Sequence, residues 1–85
     1  MQPVTIYTTQ VCPYCVKAKA LLNKKGANFT EIDVGQDDAL RETMIAKAGG
    51  RRTVPQIFIG ETHVGGCDDL YALEAEGKLD ALLAS

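Results

Sequence analysis

No apolar run in this chain exceeds four residues. A membrane-spanning helix needs about 20, so no such helix is expected. An excess of basic residues is also missing. Nine Lys and Arg face eleven Asp and Glu, for a net charge of −2 and a sequence pI near 5.2. A general nucleic-acid binder would show a basic stripe. Met1 to Val4 contains no basic segment running into an apolar core, so no secretory signal is expected and a cytoplasmic location is. Without secretion, Asn28-Phe29-Thr30 is a chance match to a glycosylation tripeptide. Internal repeats, low-complexity tracts and linkers are lacking. The 85 residues suit one small domain, 1–85. Their 46% hydrophobic and 24% charged composition is that of a soluble globular chain, which excludes disorder.

Histidine and cysteine are scarce as well. His63 is the one histidine, and the cysteines are Cys12, Cys15 and Cys67. An odd count makes a poor disulfide framework. In a reducing compartment, paired cysteines are more often redox-active or metal-binding than structural. Zinc usually takes four ligands, often from two cysteine pairs, and here one pair stands with a distant cysteine and histidine. A redox role is therefore favoured over a metal centre, and no metal is expected.

What the chain does contain is an alternating order of elements. Val4-Thr5-Ile6-Tyr7 reads as a buried strand. From Pro13 to about Lys25 the pattern is helical, with Cys15, Ala18 and Leu22 on one face. Phe29 to Val34 alternates like a second strand. Asp37-Asp38 opens a second helix, lined by Leu40, Met44 and Ala48 and ended by Gly49-Gly50. Gln56 to Ile59 and Thr62 to Val64 flank Gly60-Glu61, which suits a type II′ hairpin. A last helix starts near Cys67 and weakens at Gly77, and Leu79, Leu82 and Leu83 form a closing turn. The order β-α-β-α-β-β-α gives an α/β fold: a four-stranded mixed sheet, its first two strands parallel, with helices on both faces.

Cys12-Pro13-Tyr14-Cys15 falls between the first strand and the first helix. Sulfurs three residues apart across a first helical turn can close and reopen a disulfide. With Cys12 as N-cap, Pro13 occupies the first helical position, where its missing N–H costs nothing. The free amides of Tyr14 and Cys15 then face the Cys12 sulfur. With the helix dipole they favour thiolate, and a depressed pKa is expected for Cys12, in the ~3.5–7.5 range of such cysteines. Cys15 shares the buried face. An accessible acidic sulfur beside a shielded one makes a nucleophile, Cys12, and a resolving thiol, Cys15.

Two further motifs, Thr53-Val54-Pro55-Gln56-Ile57-Phe58-Ile59 and Gly65-Gly66-Cys67-Asp68-Asp69-Leu70, complete a set of three. Their order and spacing resemble the glutaredoxins, and within them the small bacterial dithiol type, over essentially the whole chain. The resemblance implies a thioredoxin-like fold and a cis Pro55. It also implies glutathione-dependent thiol–disulfide exchange on protein disulfides and glutathione mixed disulfides, with glutathione as reducing co-substrate and no bound cofactor. Candidate glutathione contacts are Tyr14, Arg52, Thr53, Val54, Pro55, Gly66, Cys67 and Asp68. Val54 would offer its backbone to the cysteinyl residue as an added strand does. The start of the last helix would hold the γ-glutamyl end, since free N–H groups bind carboxylates. Asp69 suits helix capping as well as ligand contact. Cys67 is a small residue at the rim, and His63 is a surface strand residue. The chain departs from the family at Thr9, where many relatives carry a lysine that contacts the glycine carboxylate. Arg51, Arg52 or Gln56 could supply that contact, while Lys17 and Lys19 act only at long range. The expected partners are glutathione and disulfide-containing or glutathionylated proteins, ribonucleotide reductase among those the resemblance suggests. No nucleic acid or membrane is expected, and the chain is expected to be a monomer. A redoxin reduced by a flavoenzyme and a cluster-bridged dimer are the alternatives.

Overall fold

The computed structural model describes residues 1–84; Ser85, the last residue of the expected domain, lies outside the described residues. In order come β1 (Val4–Thr8), α1 (Pro13–Lys24), β2 (Phe29–Asp33), α2 (Asp38–Lys47), β3 (Gln56–Ile59), β4 (Thr62–Gly65), α3 (Cys67–Ala75) and α4 (Leu79–Ala84). The strands form one sheet in the order β2-β1-β3-β4. The β1–β2 pair is parallel, as its helical connection requires, and the other two pairs are antiparallel.

Alternation along the strands sends side chains to opposite faces. Val4, Ile6, Ile57 and Ile59 pack on one face against Ala18, Leu21 and Leu22 of α1, Leu70 of α3, and Leu79 and Leu83 of α4. Tyr7 faces the other way, with Met44 and Ile45 of α2, Val34, and the half-buried Ile32, Val54 and Phe58. The residues expected to make a closing turn instead form α4, a short helix that buries Leu79 and Leu83. Lys25, at the end of α1, holds Glu74 at 2.8 Å and Asp80 at 3.0 Å, so one ammonium ties α1 to α3 and α4. Its pKa is raised by those two carboxylates.

Leu40 was expected on the inner face of α2, but it is 37% exposed, whereas Met44, Ile45 and Ala48 are buried. At 100° per residue, Leu40 lies about 90° round the helix from the middle of that stripe. The β3–β4 hairpin has the expected two-residue loop, since Ile59 pairs with Thr62. Gly60 has φ 59°, and among the described residues no non-glycine residue has positive φ. Glu61 therefore excludes type I′, and the loop has the II′ pattern. Ile57 pairs with Gly65 but Phe58 with His63, leaving Val64 as a bulge that bends β4 toward α3.

Candidate active site

The end of β1 and the start of α1 meet where the carboxyl end of the first strand leaves the sheet. Cys12 is the N-cap of α1 in extended backbone, φ −148° and ψ 96°, and Pro13 takes the first helical position. Cys12 and Cys15 are joined as a disulfide, with Cα atoms 5.2 Å apart. The Cys15 amide donates to Cys12 Sγ at 3.2 Å. Of the two amides expected to face this sulfur, only that of Cys15 does so among the described residues. The two cysteines differ in access: Cys12 is half-buried, and Cys15 is 1% exposed beneath the helix.

A second segment approaches the same sulfur. The Val54–Pro55 peptide bond is cis. Val54 O lies 4.0 Å from Cys12 Sγ, a contact rather than a hydrogen bond, because a disulfide sulfur carries no proton. The Val54 N–H has no hydrogen-bond partner among the described residues, so it is free to receive an extended backbone. Behind this loop stands Gln56, 0% exposed. Its Nε2 donates to Thr53 O at 3.0 Å and to Thr53 Oγ1 at 3.2 Å, and its Oε1 lies 2.7 Å from His63 Nε2. With the amide hydrogens turned to Thr53, His63 must be the donor in that contact. His63 also stacks on Phe58 at 4.8 Å. It is thus half-buried and hydrogen-bonded, not the plain surface residue expected. Gln56 was a candidate ligand contact, but its burial makes it a support for Thr53.

The third wall is the start of α3. Gly66 is the N-cap, and its N–H donates to Asp69 Oδ2 at 2.8 Å. A glycine cap has no side chain to reciprocate, so this is half of a capping box. Arg51 Nη1 reaches the same oxygen at 3.2 Å. The Gly66 amide, with Arg51 secondary, holds the Asp69 carboxyl below its ordinary pKa. Asp69 therefore caps the helix, as its position allowed. Gly65 has φ +113°, and a Cβ there would run into the Asp69 carboxylate and lie 2.7 Å from Arg51 Nη1. Cys67 is 5% exposed, and burial pushes its thiol pKa up. Cys67 lines the cleft, and its sulfur is held protonated.

A cleft of about 150 Å³ opens between these segments; neither Cys12 nor Cys15 lines it, but Tyr14 between them does, as does Val54, whose O is 4.0 Å from Cys12 Sγ. Tyr14, Thr53, Val54, Pro55, Gly66, Cys67 and Asp68, all named from the sequence, line it together with Arg51 and Asp69. Arg52 is not among them. It is exposed, and its carbonyl accepts from Arg41 Nη1 at 3.5 Å. Among the described residues Arg51 is the one cation lining the cleft. Thr9, Lys17 and Lys19 lie outside that lining. Lys17 sits 4.9 Å over the Tyr71 ring. Lys19 pairs with Glu31 at 3.0 Å, whose carboxyl pKa is lowered by the Thr8 hydroxyl and then by Lys19. The Gln56–His63 pair was the feature missed. A buried amide facing a histidine across an antiparallel pair carries no periodic signal, because its partners are seven residues apart in the chain.

A mixed sheet with a cysteine pair at the tip of its first helix, beside a cis-proline loop, defines a thioredoxin-like thiol–disulfide oxidoreductase. The family model for glutaredoxin matches residues 4–64. The chain is 61% identical over 85 residues to a glutaredoxin of Pseudomonas aeruginosa, covering 100% of both chains. It is 59% identical over 83 residues to glutaredoxin 3 of Escherichia coli K12, covering 98% of this chain and 99% of that one. A crystal structure of a buckwheat glutaredoxin–glutathione complex superposes with a TM-score of 0.88 at 34% identity, covering 98% of this chain and 77% of that one. The chain belongs to the glutaredoxin family.

Proposed function

We propose that the protein is a glutathione-dependent oxidoreductase that acts on glutathionylated cysteines and protein disulfides. The observation that carries this reading is the cleft beside Cys12. It combines an unpaired Val54 amide with a cationic Arg51 and an acidic Asp68 at a helix N-terminus. Glutathione has a peptide backbone with a cysteine at its centre, two carboxylates and one ammonium group. The backbone suits Val54, the glycine carboxylate suits Arg51, and the γ-glutamyl end suits the α3 amides and Asp68. The glutathione complex of the buckwheat relative supports the same assignment.

In the reduced protein, the Cys12 thiolate attacks the glutathione sulfur of a mixed disulfide. A Cys12–glutathione disulfide forms and the substrate thiolate leaves. A second glutathione thiolate attacks the glutathione sulfur, releasing glutathione disulfide and regenerating the Cys12 thiolate. With a protein disulfide, Cys12 forms a mixed disulfide with one substrate sulfur and frees the other. Cys15, shielded at 1% exposure, then attacks Cys12 Sγ. The substrate departs with two electrons and the Cys12–Cys15 bond closes. Two glutathione molecules restore the dithiol. The odd, protonated Cys67 thiol suits a reducing cytoplasm, where we place this monomeric enzyme.

Cys12→Ser will abolish turnover of a glutathionylated peptide. Cys15→Ser will retain it while losing reduction of a protein disulfide by the two-sulfur route. Equal loss of both activities in both variants would refute the division of labour. Failure of the Cys15→Ser protein to form a stable Cys12–glutathione adduct, followed by mass spectrometry, would refute the glutathione site.

A further inference from the structure

His63 is the one histidine of the chain, and the dithiol chemistry gives it no part. Its place in the fold is specific. It lies opposite Phe58 of the adjacent strand, and Phe58 and Gln56, two residues apart on β3, project to the same face. The His63 ring stacks on Phe58 at 4.8 Å and brings Nε2 to 2.7 Å from Gln56 Oε1. The stack fixes the plane of the ring, and the ring aims a donor at a buried amide. Gln56 then reaches Thr53, donating from Nε2 to its O at 3.0 Å and its Oγ1 at 3.2 Å. Among the described residues Thr53 makes no other hydrogen bond. The next residue is Val54, whose O lies 4.0 Å from Cys12 Sγ. Thr53 and Val54 both line the cleft, and His63 does not.

We propose that His63 is a positioning residue for the glutathione cleft: its Nε2–H locks the Gln56 amide, and the locked amide holds Thr53 and Val54 in place to receive the cysteinyl backbone. A glutamine amide can turn by half a rotation with almost no change in shape. Turned round, Gln56 would set Oε1 against Thr53 O, two acceptors facing each other, and that tie would be lost. A donor at His63 excludes this orientation, because it requires Oε1 on its own side. Without the donor, a buried acceptor stands unpaired in one orientation and the bond to Thr53 O breaks in the other. The proposal rests on the glutathione reading of the cleft, and it needs no contact between His63 and ligand.

Two substitutions in the full-length protein separate the donor from the ring. His63→Phe keeps a ring to stack on Phe58 and has no donor. His63→Gln keeps a side-chain N–H and has no ring. With a glutathionylated peptide, His63→Phe is expected to raise KM about fivefold, the size of one neutral hydrogen bond, with kcat kept. His63→Gln is expected to hold the wild-type KM even though losing the stack lowers its urea midpoint. On top of Gln56→Met, His63→Phe should raise KM no further, since both act through one amide. Alkylation of the reduced Cys12 by iodoacetamide, which does not use the cleft, should run at the wild-type rate in every variant. In the reduced wild type, long-range proton–nitrogen NMR correlation should show a proton on His63 Nε2, a reading that does not depend on any variant folding. An unchanged KM in His63→Phe overturns the proposal. An equal rise in His63→Gln also does, by making His63 a packing residue only. Additive KM effects with Gln56→Met, or an Nε2 without a proton, overturn it as well. Slower alkylation in His63→Phe overturns it in favour of an effect on Cys12 itself. A wild type that fails to turn over the glutathionylated peptide overturns the glutathione reading together with the proposal, whereas the other adverse outcomes overturn the proposal alone.

Discussion

Gln56→Met removes a buried amide while preserving side-chain length, which isolates its hydrogen bonds. Gln56 is 0% exposed and makes two bonds to Thr53 and one to His63, at 3.0, 3.2 and 2.7 Å. Each neutral bond contributes about 0.5–1.5 kcal/mol net, so three sum to about 1.5–4.5 kcal/mol. Thr53 is exposed, so water can replace the amide on that side. The half-buried His63 is less easily resolvated. We expect a loss of about 1–3 kcal/mol. In urea, with a slope of about 1 kcal/mol/M for a small chain, the unfolding midpoint should fall by about 1–3 M. The same change frees Thr53, a wall of the cleft, so KM for a glutathionylated peptide should rise while kcat is largely kept. A midpoint shift under about 0.5 M together with an unchanged KM would refute the view that Gln56 holds the cleft in shape.

Two further outcomes follow from the start of α3. Asp69→Ala removes the acceptor of the Gly66 amide and the partner of Arg51, and should cost about 0.5–1 kcal/mol, the low end for a cap because the carboxylate is half exposed. The native Asp69 pKa is depressed by the Gly66 amide and Arg51. Its contribution is therefore complete above the unfolded carboxylate value of about 3.9 and is lost as pH falls through the folded value. Stability curves of wild type and Asp69→Ala should run parallel at neutral pH and converge in acid. A constant gap down to the acid limit would contradict the assignment. Gly65→Ala forces a side chain into φ +113° and against the Asp69 carboxylate. It should cost about 1–3 kcal/mol from the backbone alone, and a wild-type midpoint in urea would disprove that strain.

Much of this architecture was legible in linear order. The strands of alternating or β-branched residues, the Pro13 helix start and the Gly60-Glu61 turn each depend on neighbours a few residues apart. So does the contrast between Cys12 and Cys15, because helical spacing alone sends Cys15 inward with Ala18 and Leu22. Leu40 falls outside the buried stripe because a four-residue spacing drifts about 40° round the helix at each step, so Leu40, Met44 and Ala48 do not share one face. The helical character of α4 is not visible in the sequence, because six residues are too few to show a helical period. Arg51 and not Arg52 lines the cleft, and consecutive loop residues carry no pattern that says which one turns inward.

The sequence by itself determined the reactive chemistry: a cysteine at a helix N-terminus, a second one on the buried face, and a proline between them. Local geometry sets these properties, since the donor that faces Cys12, the Cys15 amide, belongs to its own helix. Only the tertiary structure decided what surrounds that sulfur. Val54, Arg51, Asp69 and the Gln56–His63 pair reach the site from separate loops, strands and helices. Their positions depend on how the sheet and helices pack, and no spacing along the chain encodes that.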